Sequence, residues 1–266
     1  MNPVYRMADW EVRKGGRAVL REINLELQAR ELVVVMGANG SGKSTLLRSL
    51  AGLEKGAKGE VRLGKQAMGE LGRRQMAQQV ALVEATLDLP FALTAEEIAL
   101  MGRAPHALRW RETEEDRRKA EAALAAMDCA EFAKRDFRTL SSGEKQRVIV
   151  ASALAQEPCV LLLDEPAAFL DLAHQQDLFA RLRQLADSGL LVVAVTHDWN
   201  LAALWATRIV LMKQGGVLAQ GTAQELGQAG LLEQVFGLPL RVEAGPVPFV
   251  RPWRFGERED GQADAI

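Results

Sequence analysis

The sequence predicts an α/β fold built on a parallel sheet buried on both faces, and three stretches carry that prediction. Glu31-Leu32-Val33-Val34-Val35-Met36 is a short apolar, β-branched run; it is followed by Gly37-Ala38-Asn39-Gly40-Ser41-Gly42-Lys43-Ser44-Thr45 and then by Leu46-Leu47-Arg48-Ser49-Leu50, which opens a helix. Cys159-Val160-Leu161-Leu162-Leu163 is wholly apolar, as a central parallel strand must be, and it ends in Asp164-Glu165. Leu190-Leu191-Val192-Val193-Ala194-Val195 repeats the pattern and ends in Thr196-His197. In open α/β sheets ligands sit at the C-terminal ends of the strands. Lys43, Asp164, Glu165 and His197 are therefore expected along one edge.

Composition sets the frame. A chain of 266 residues suits one large domain or two modest ones, with ample core. With 48% hydrophobic and 26% charged residues it reads as an ordinary soluble globular protein. A net charge of −2 argues against a dedicated nucleic-acid binder, so no nucleic-acid partner is expected. Cys129 and Cys159 are too few for a disulfide framework and point to a reducing compartment. Residues 1–9 lack the apolar stretch of a signal peptide, and nowhere do 18 apolar residues run together. Any action at a membrane is expected to go through a partner.

Taken in order, Trp10-Glu11-Val12 and Ile23-Asn24-Leu25-Glu26-Leu27 alternate apolar and polar residues around the turn signal Lys14-Gly15-Gly16-Arg17, which predicts an antiparallel hairpin within residues 1–30. The glycine loop and its helix follow, ending near Gly52. Gly59 to Gly64 reads as a strand, and Val80-Ala81-Leu82-Val83 as a buried strand ending at Glu84. From about residue 85 to 157 the character turns helical. Thr94-Ala95-Glu96-Glu97 and Thr113-Glu114-Glu115-Asp116 are helix starts, the second placing Ala120, Leu124 and Met127 on one face. The mixed-sign charges from Arg109 to Lys119 read as a solvated helix face. Ser141 with Glu144 three residues on is a capping box, opening another helix. Ile209 to Met212 and Gly216 to Ala219 bracket the turn Lys213-Gln214-Gly215 as a closing hairpin. Residues after about 242 show little periodicity, and 256–266 look disordered. There is no internal repeat.

The residue types give the chemistry. Glycines at 37, 40 and 42 let the backbone wrap an anion and aim its N–H groups inward, while the helix start adds partial positive charge. Lys43 reaches the β- and γ-phosphates of a nucleoside triphosphate, and Ser44 offers a hydroxyl to Mg²⁺. Asp164 is suited to hold Mg²⁺, directly or through water, and Glu165 to orient and deprotonate the water that attacks the γ-phosphate. Two adjacent acids at a strand end rarely serve stability, because like charges there cost energy.

Together these pieces resemble the nucleotide-binding subunit of ATP-binding cassette (ABC) transporters over roughly residues 8–225. The Walker A loop is Gly37 to Thr45, and the Walker B strand with its catalytic acid is Leu161 to Glu165. Leu140-Ser141-Ser142-Gly143-Glu144 is similar to the family's LSGGQ signature, Ala168-Phe169-Leu170-Asp171 to its D-loop, and His197 to its switch histidine. The Walker pair alone would indicate a P-loop NTPase; the signature between them narrows it. The resemblance implies a RecA-like P-loop NTPase core with an N-terminal antiparallel β subdomain and an inserted helical subdomain at about 85–157. Residues 1–242 would form a single nucleotide-binding domain and 243–266 a C-terminal extension. It further implies a homodimer, head to tail, in which each of two ATP lies between one subunit's Walker A loop and the other's signature helix. There Ser141, Ser142, Gly143, Glu144 and Asp171 would meet the partner's nucleotide, with Glu165 and His197 catalytic. ATP hydrolysis would drive an integral membrane permease, served indirectly by a substrate-binding protein, from the cytoplasmic face of the cell membrane.

Three motifs depart from the family pattern. Glu84 stands where a glutamine is usual; it could ligate Mg²⁺ beside Ser44 and Asp164, but it cannot donate a hydrogen bond and adds negative charge. The signature has Ser142 for a glycine and Glu144 for glutamine. Lys14 aligns with the aromatic residue that stacks on adenine, leaving Tyr5, Trp10 or the Lys14 stem as candidates. Met101 to His106, Phe169 to Gln175 and Val235 to Leu238 also look like the importer branch for iron siderophores, haem and cobalamin, with residues 84–106 forming much of a groove for the permease. The competing readings are another ABC importer or exporter subunit, a regulatory ATP-binding module, and a soluble non-transport ABC ATPase. The last generally fuses two cassettes or carries long coiled coils, and this chain has one cassette and no sustained heptads.

Overall fold

In the computed structural model, which describes residues 4–84, 92–106, 112–243 and 245–252, the N-terminal alternation folds as β1 (Tyr5–Lys14) and β2 (Arg17–Leu27), paired antiparallel across Gly15-Gly16. The buried run follows as β3 (Leu32–Gly37), and the glycine loop leads into α1 (Lys43–Leu50). Next come β4 (Lys58–Leu63), the short β5 (Gln66–Ala67), α2 (Arg73–Gln79) and β6 (Val80–Val83). The helical stretch holds α3 (Ala95–Met101), α4 (Glu114–Ala126) and α5 (Ser142–Ala155). The chain then alternates: β7 (Val160–Asp164), α6 (Leu172–Asp187), β8 (Leu191–Val195), α7 (Trp199–Trp205), β9 (Arg208–Lys213) and β10 (Gly216–Gly221). It closes with α8 (Ala223–Leu226), α9 (Ala229–Phe236), β11 (Leu240–Glu243) and β12 (Phe249–Pro252).

Two larger sheets organise these strands. One is antiparallel, in the order β2-β1-β4-β5. The other runs β10-β9-β3-β8-β7-β6, with β9, β3, β8, β7 and β6 mutually parallel and β10 antiparallel at the edge. The apolar runs at 32–36, 160–163 and 191–195 are thereby buried on both faces, as their lack of alternation predicts. Alternate residues of each strand serve different cores. Leu32, Val34 and Met36 join Leu161, Leu163, Val192 and Ala194 against α3 to α7. Val33 and Val35 join Leu162, Val193 and Val195 against α1 and the antiparallel sheet. A one-residue slip would exchange the two sets, so both cores enforce the register.

Helix starts are local and land where the sequence places them. Thr94, Thr113 and Ser141 each accept from the N–H three residues on, and Glu97, Asp116 and Glu144 answer as capping boxes. Ala120, Leu124 and Met127 are buried, while Glu112, Glu114, Glu115, Arg117 and Arg118 are exposed. Arg109 and Arg111 of the same charged stretch lie outside the described residues. The helices are tied together by a buried cation: Arg103 donates to Ala155 O at 2.6 Å and pairs with Asp116 and Glu157, both at 3.0 Å. A guanidinium in that setting left without partners would cost about 3–5 kcal/mol, so the three acceptors are needed together.

The stretch after residue 242 is more structured than its weak periodicity suggests. β12 pairs antiparallel with β11, and the hairpin is bolted to α7. Trp199 Nε1 donates to Pro248 O at 3.1 Å, and Asn200 exchanges two hydrogen bonds with the Val250 backbone. Its partners lie some fifty positions away, where local pattern does not reach. Residues 256–266, expected to be disordered, fall outside the described residues, as do 85–91 of the expected groove.

Candidate functional site

The parallel register brings the expected residues to one edge. Val35 of β3 pairs with Val195 of β8, Val195 with Asp164 of β7, and Leu163 of β7 with Val83 of β6. The residues that leave those four strand tips are the glycine loop, Thr196-His197, Asp164-Glu165 and Glu84. With neighbouring strands about 4.8 Å apart, the whole row spans roughly 14 Å, the scale of a triphosphate and its ion.

The loop from Gly37 to Thr45 is shaped by its own backbone. Gly40 and Gly42 take φ of 76° and 104°, values that side chains resist, and a Cβ on Gly42 would lie 2.8 Å from Leu20 Cδ2 and 3.0 Å from Val19 O. Ala38, Asn39 and Gly40 are exposed, whereas Ser41 and Lys43 are buried. Lys43 Nζ donates to Gly37 O at 2.9 Å and Ala38 O at 3.1 Å, holding the loop open around a positive charge. Burial pushes the Lys43 pKa below its ordinary value, opposed by the Glu165 and Asp164 carboxylates. α1 has no side-chain cap, so its first N–H groups remain available to an anion beside the exposed Ser44. Thr45 lies in the same first turn, its carbonyl accepting from Ser49 Oγ at 2.8 Å.

Asp164 and Glu165 occupy different environments although they are adjacent. Asp164 Oδ1 is buried and has no hydrogen-bond partner, and Ser41 Oγ is in the same condition. A buried carboxylate oxygen left unpaired costs about 1–3 kcal/mol or more, which a ligand or ion would recover. Glu165 instead is partly exposed, adopts φ of 49°, and its Oε1 lies 2.6 Å from His197 Nε2. A non-glycine residue in the left-handed region is strained, and such strain clusters at functional sites. Mg²⁺ fits these donors: Ser44 and Asp164 offer hard oxygen ligands, and no group of three or more His, Cys, Asp or Glu is needed for an ion that keeps water and phosphate in its shell. Among the described residues no such group exists.

Glu84 is at the expected strand tip, but its carboxylate is engaged by Arg48 of α1, with Nη1 to Oε1 at 2.8 Å. Arg48 also pairs with Glu54 at 3.4 Å, and Glu54 holds Lys14 at 2.8 Å. Glu84 and Lys14, two of the departures from the family pattern, are thus charged groups with partners on or just beyond α1. The sequence reading missed Arg48 and Glu54; the signal lay in Arg48 standing four residues after Ser44, on the same helix face. Tyr5 is corrected as a stacking candidate: it is fully buried and donates its hydroxyl to Leu50 O at 2.6 Å. Burial raises its pKa far above the usual phenol value. Trp10 packs against the second core, with its indole N–H buried.

Ser141 to Glu144 and Asp171 form a second, separate group. Glu144 N donates to Ser141 Oγ at 3.3 Å and Ser141 N to Glu144 Oε2 at 2.7 Å, and that backbone N–H holds the Glu144 carboxyl below its usual range. Ser141 and Ser142 are exposed at the start of α5. Asp171 caps α6 through His174 N at 2.9 Å, and Gly143 lies against the His174 ring. Among the described residues no hydrogen bond or ion pair joins this group to the glycine loop.

Residues 20–168 match a family model described as ABC transporter. The chain is 42% identical over 242 residues to the hemin import ATP-binding protein HmuV of Gloeobacter violaceus, covering 88% of each chain. It is 35% identical over 234 residues to the iron(3+)-hydroxamate import ATP-binding protein FhuC of Bacillus subtilis, covering 87% of each. Among solved structures, an inward-facing metal-chelate type ABC transporter superimposes with a TM-score of 0.83 at 26% identity, over 96% of this chain and 99% of that one.

Proposed function

The chain belongs to the ABC transporter family and is an ATPase, and from that premise we propose that it powers an importer for an iron-siderophore, haem or cobalamin-type metal chelate. The observation that carries the chemistry is the Glu165–His197 contact at 2.6 Å. It joins the tips of β7 and β8 beside Asp164's unpaired oxygen at the end of β7 and next to β3, whose end opens the phosphate loop. Gly37 to Thr45 wrap the phosphates, with Lys43 countering charge on the β- and γ-groups. Ser44 and Asp164 would hold Mg²⁺, which when bound would draw charge off the phosphate oxygens; Glu84 would add a third oxygen ligand only on leaving its pair with Arg48. Glu165 takes a proton from water as its oxygen attacks the γ-phosphorus and the bond to ADP breaks. His197 orients Glu165 through its Nε2 contact, and that same N–H is the one it would donate to the γ-phosphate when ATP is bound.

Residues 1–242 act as one nucleotide-binding domain whose helical part spans about 85–157. Two copies close on two ATP, each presenting Ser141 to Glu144 and Asp171 to the other's nucleotide, and open after hydrolysis. The groove lined by Leu53, Leu82, Glu84, Met101 and Ile149 receives a cytoplasmic segment of the permease; Leu53 and Met101 are about half exposed there. The protein is peripheral, on the cytoplasmic face of the cell membrane, and no described helix is long and apolar enough to cross one. Removing the Glu84 charge tests the metal and phosphate side: Glu84→Gln is expected to preserve or raise ATPase activity, measured as phosphate release. A collapse would assign the carboxylate an essential ligand role.

The transport reading is tested by affinity purification from detergent-solubilised native membranes, with the co-purifying chains identified by mass spectrometry. A polytopic membrane protein in equal amount supports it, and the permease's own sequence would narrow the cargo. Soluble partners alone would withdraw the importer assignment and leave the ATP chemistry.

A further inference from the structure

Gly143 is the second residue of α5, and its backbone is ordinary helix: its φ is not in the left-handed region. Conformation therefore does not call for glycine, which is the poorest helix former after proline. What excludes a side chain is a ring. A Cβ at this position would lie 2.5 Å from Cδ2, 2.9 Å from Cγ and 3.1 Å from Nε2 of His174. The ring has little freedom to retreat, because Asp171 Oδ1 accepts from both the His174 backbone N–H at 2.9 Å and Nδ1 at 2.7 Å. With the ring proton on Nδ1, the unprotonated Nε2 faces α5. Asp171 thus pins His174, and His174 pins the start of α5.

Asp171 is flanked by Phe169 and Leu172, which are 73% and 68% exposed, the highest values among the large apolar residues described. Solvent-facing residues of that size beside a rigid polar cap are what a surface closed by a second copy presents. We propose that His174 is a positioning residue for the two-copy site: wedged between Asp171 and Gly143, it sets the spacing of the two elements that face the other chain, and its ring is one constraint that keeps position 143 free of a side chain. This rests on the two-copy reading above. His174 touches no nucleotide; it acts through Asp171 and through the N–H groups at the start of α5.

The test separates binding to one chain from closure of two. Dimerisation is read by size-exclusion chromatography with light scattering in the Glu165→Gln background with ATP, and single-chain affinity by titration with a fluorescent ATP analogue. His174→Ala is expected to leave single-chain affinity within about twofold and to weaken ATP-driven dimerisation roughly tenfold, the size of a lost contact between coupled groups. His174→Asn, which keeps a donor for Asp171, is expected to recover much of the loss. Gly143→Ala alone should impair dimerisation more than His174→Ala. Adding His174→Ala to Gly143→Ala should then recover part of the added loss, because the clash with the ring is gone. A double variant as poor as Gly143→Ala would overturn the proposal, since the ring would then place no constraint on the start of α5. Equal loss of single-chain affinity would overturn it as well. If the Glu165→Gln parent fails to dimerise with ATP, the two-copy reading falls first and this inference with it.

Discussion

Glu165→Gln is expected to abolish ATP turnover while leaving ATP bound, so that the protein accumulates as an ATP-loaded dimer. The change is isosteric. It keeps an oxygen that can face His197 Nε2, now 2.6 Å from Oε1, and it asks no more of the backbone at φ 49° than glutamate does. What it removes is the proton acceptor. General-base catalysis is worth about 10²–10⁴ in rate, so phosphate release should fall by at least a hundredfold. Asp164 is a poor substitute as base, because its Oδ1 is buried and unpartnered, whereas Glu165 is partly exposed beside His197. Chromatography with light scattering should show the dimer with ATP and the monomer with ADP. Hydrolysis within about tenfold of the parent would remove Glu165 as the base.

Lys43→Ala is expected to act one step earlier, on binding. Lys43 is only 7% exposed, and its ammonium spends two of three donors on Gly37 O and Ala38 O. The third donor and the charge remain for the phosphates. Charge-assisted hydrogen bonds contribute about 1.5–3 kcal/mol each, so losing one or two should cost about 3 kcal/mol, roughly a hundredfold in Kd. The loop carbonyls would also lose their partner, so the melting temperature should be measured beside ATP affinity. A folded Lys43→Ala variant with unchanged affinity would overturn the phosphate-loop assignment. The two variants divide the mechanism: one blocks loading, the other blocks release.

The sequence by itself determined whatever depends on contiguous residues. The glycine loop between strand and helix, the carboxylates ending an apolar run, the capping boxes at Thr94, Thr113 and Ser141, and the hairpins at 14–17 and 213–215 all rest on spacings of a few residues. Local dihedral preferences and short hydrogen bonds generate them without help from the rest of the chain. The tertiary structure alone decided which strand tips are neighbours, through the order β3-β8-β7-β6. It also decided that Glu84 meets Arg48, that Lys14 meets Glu54, that Tyr5 is sealed against Leu50, and that His174 lies under Gly143. Those pairs stand roughly thirty to forty-five positions apart. Their approach is set by how two cores pack on opposite faces of one sheet, and no local pattern encodes that distance.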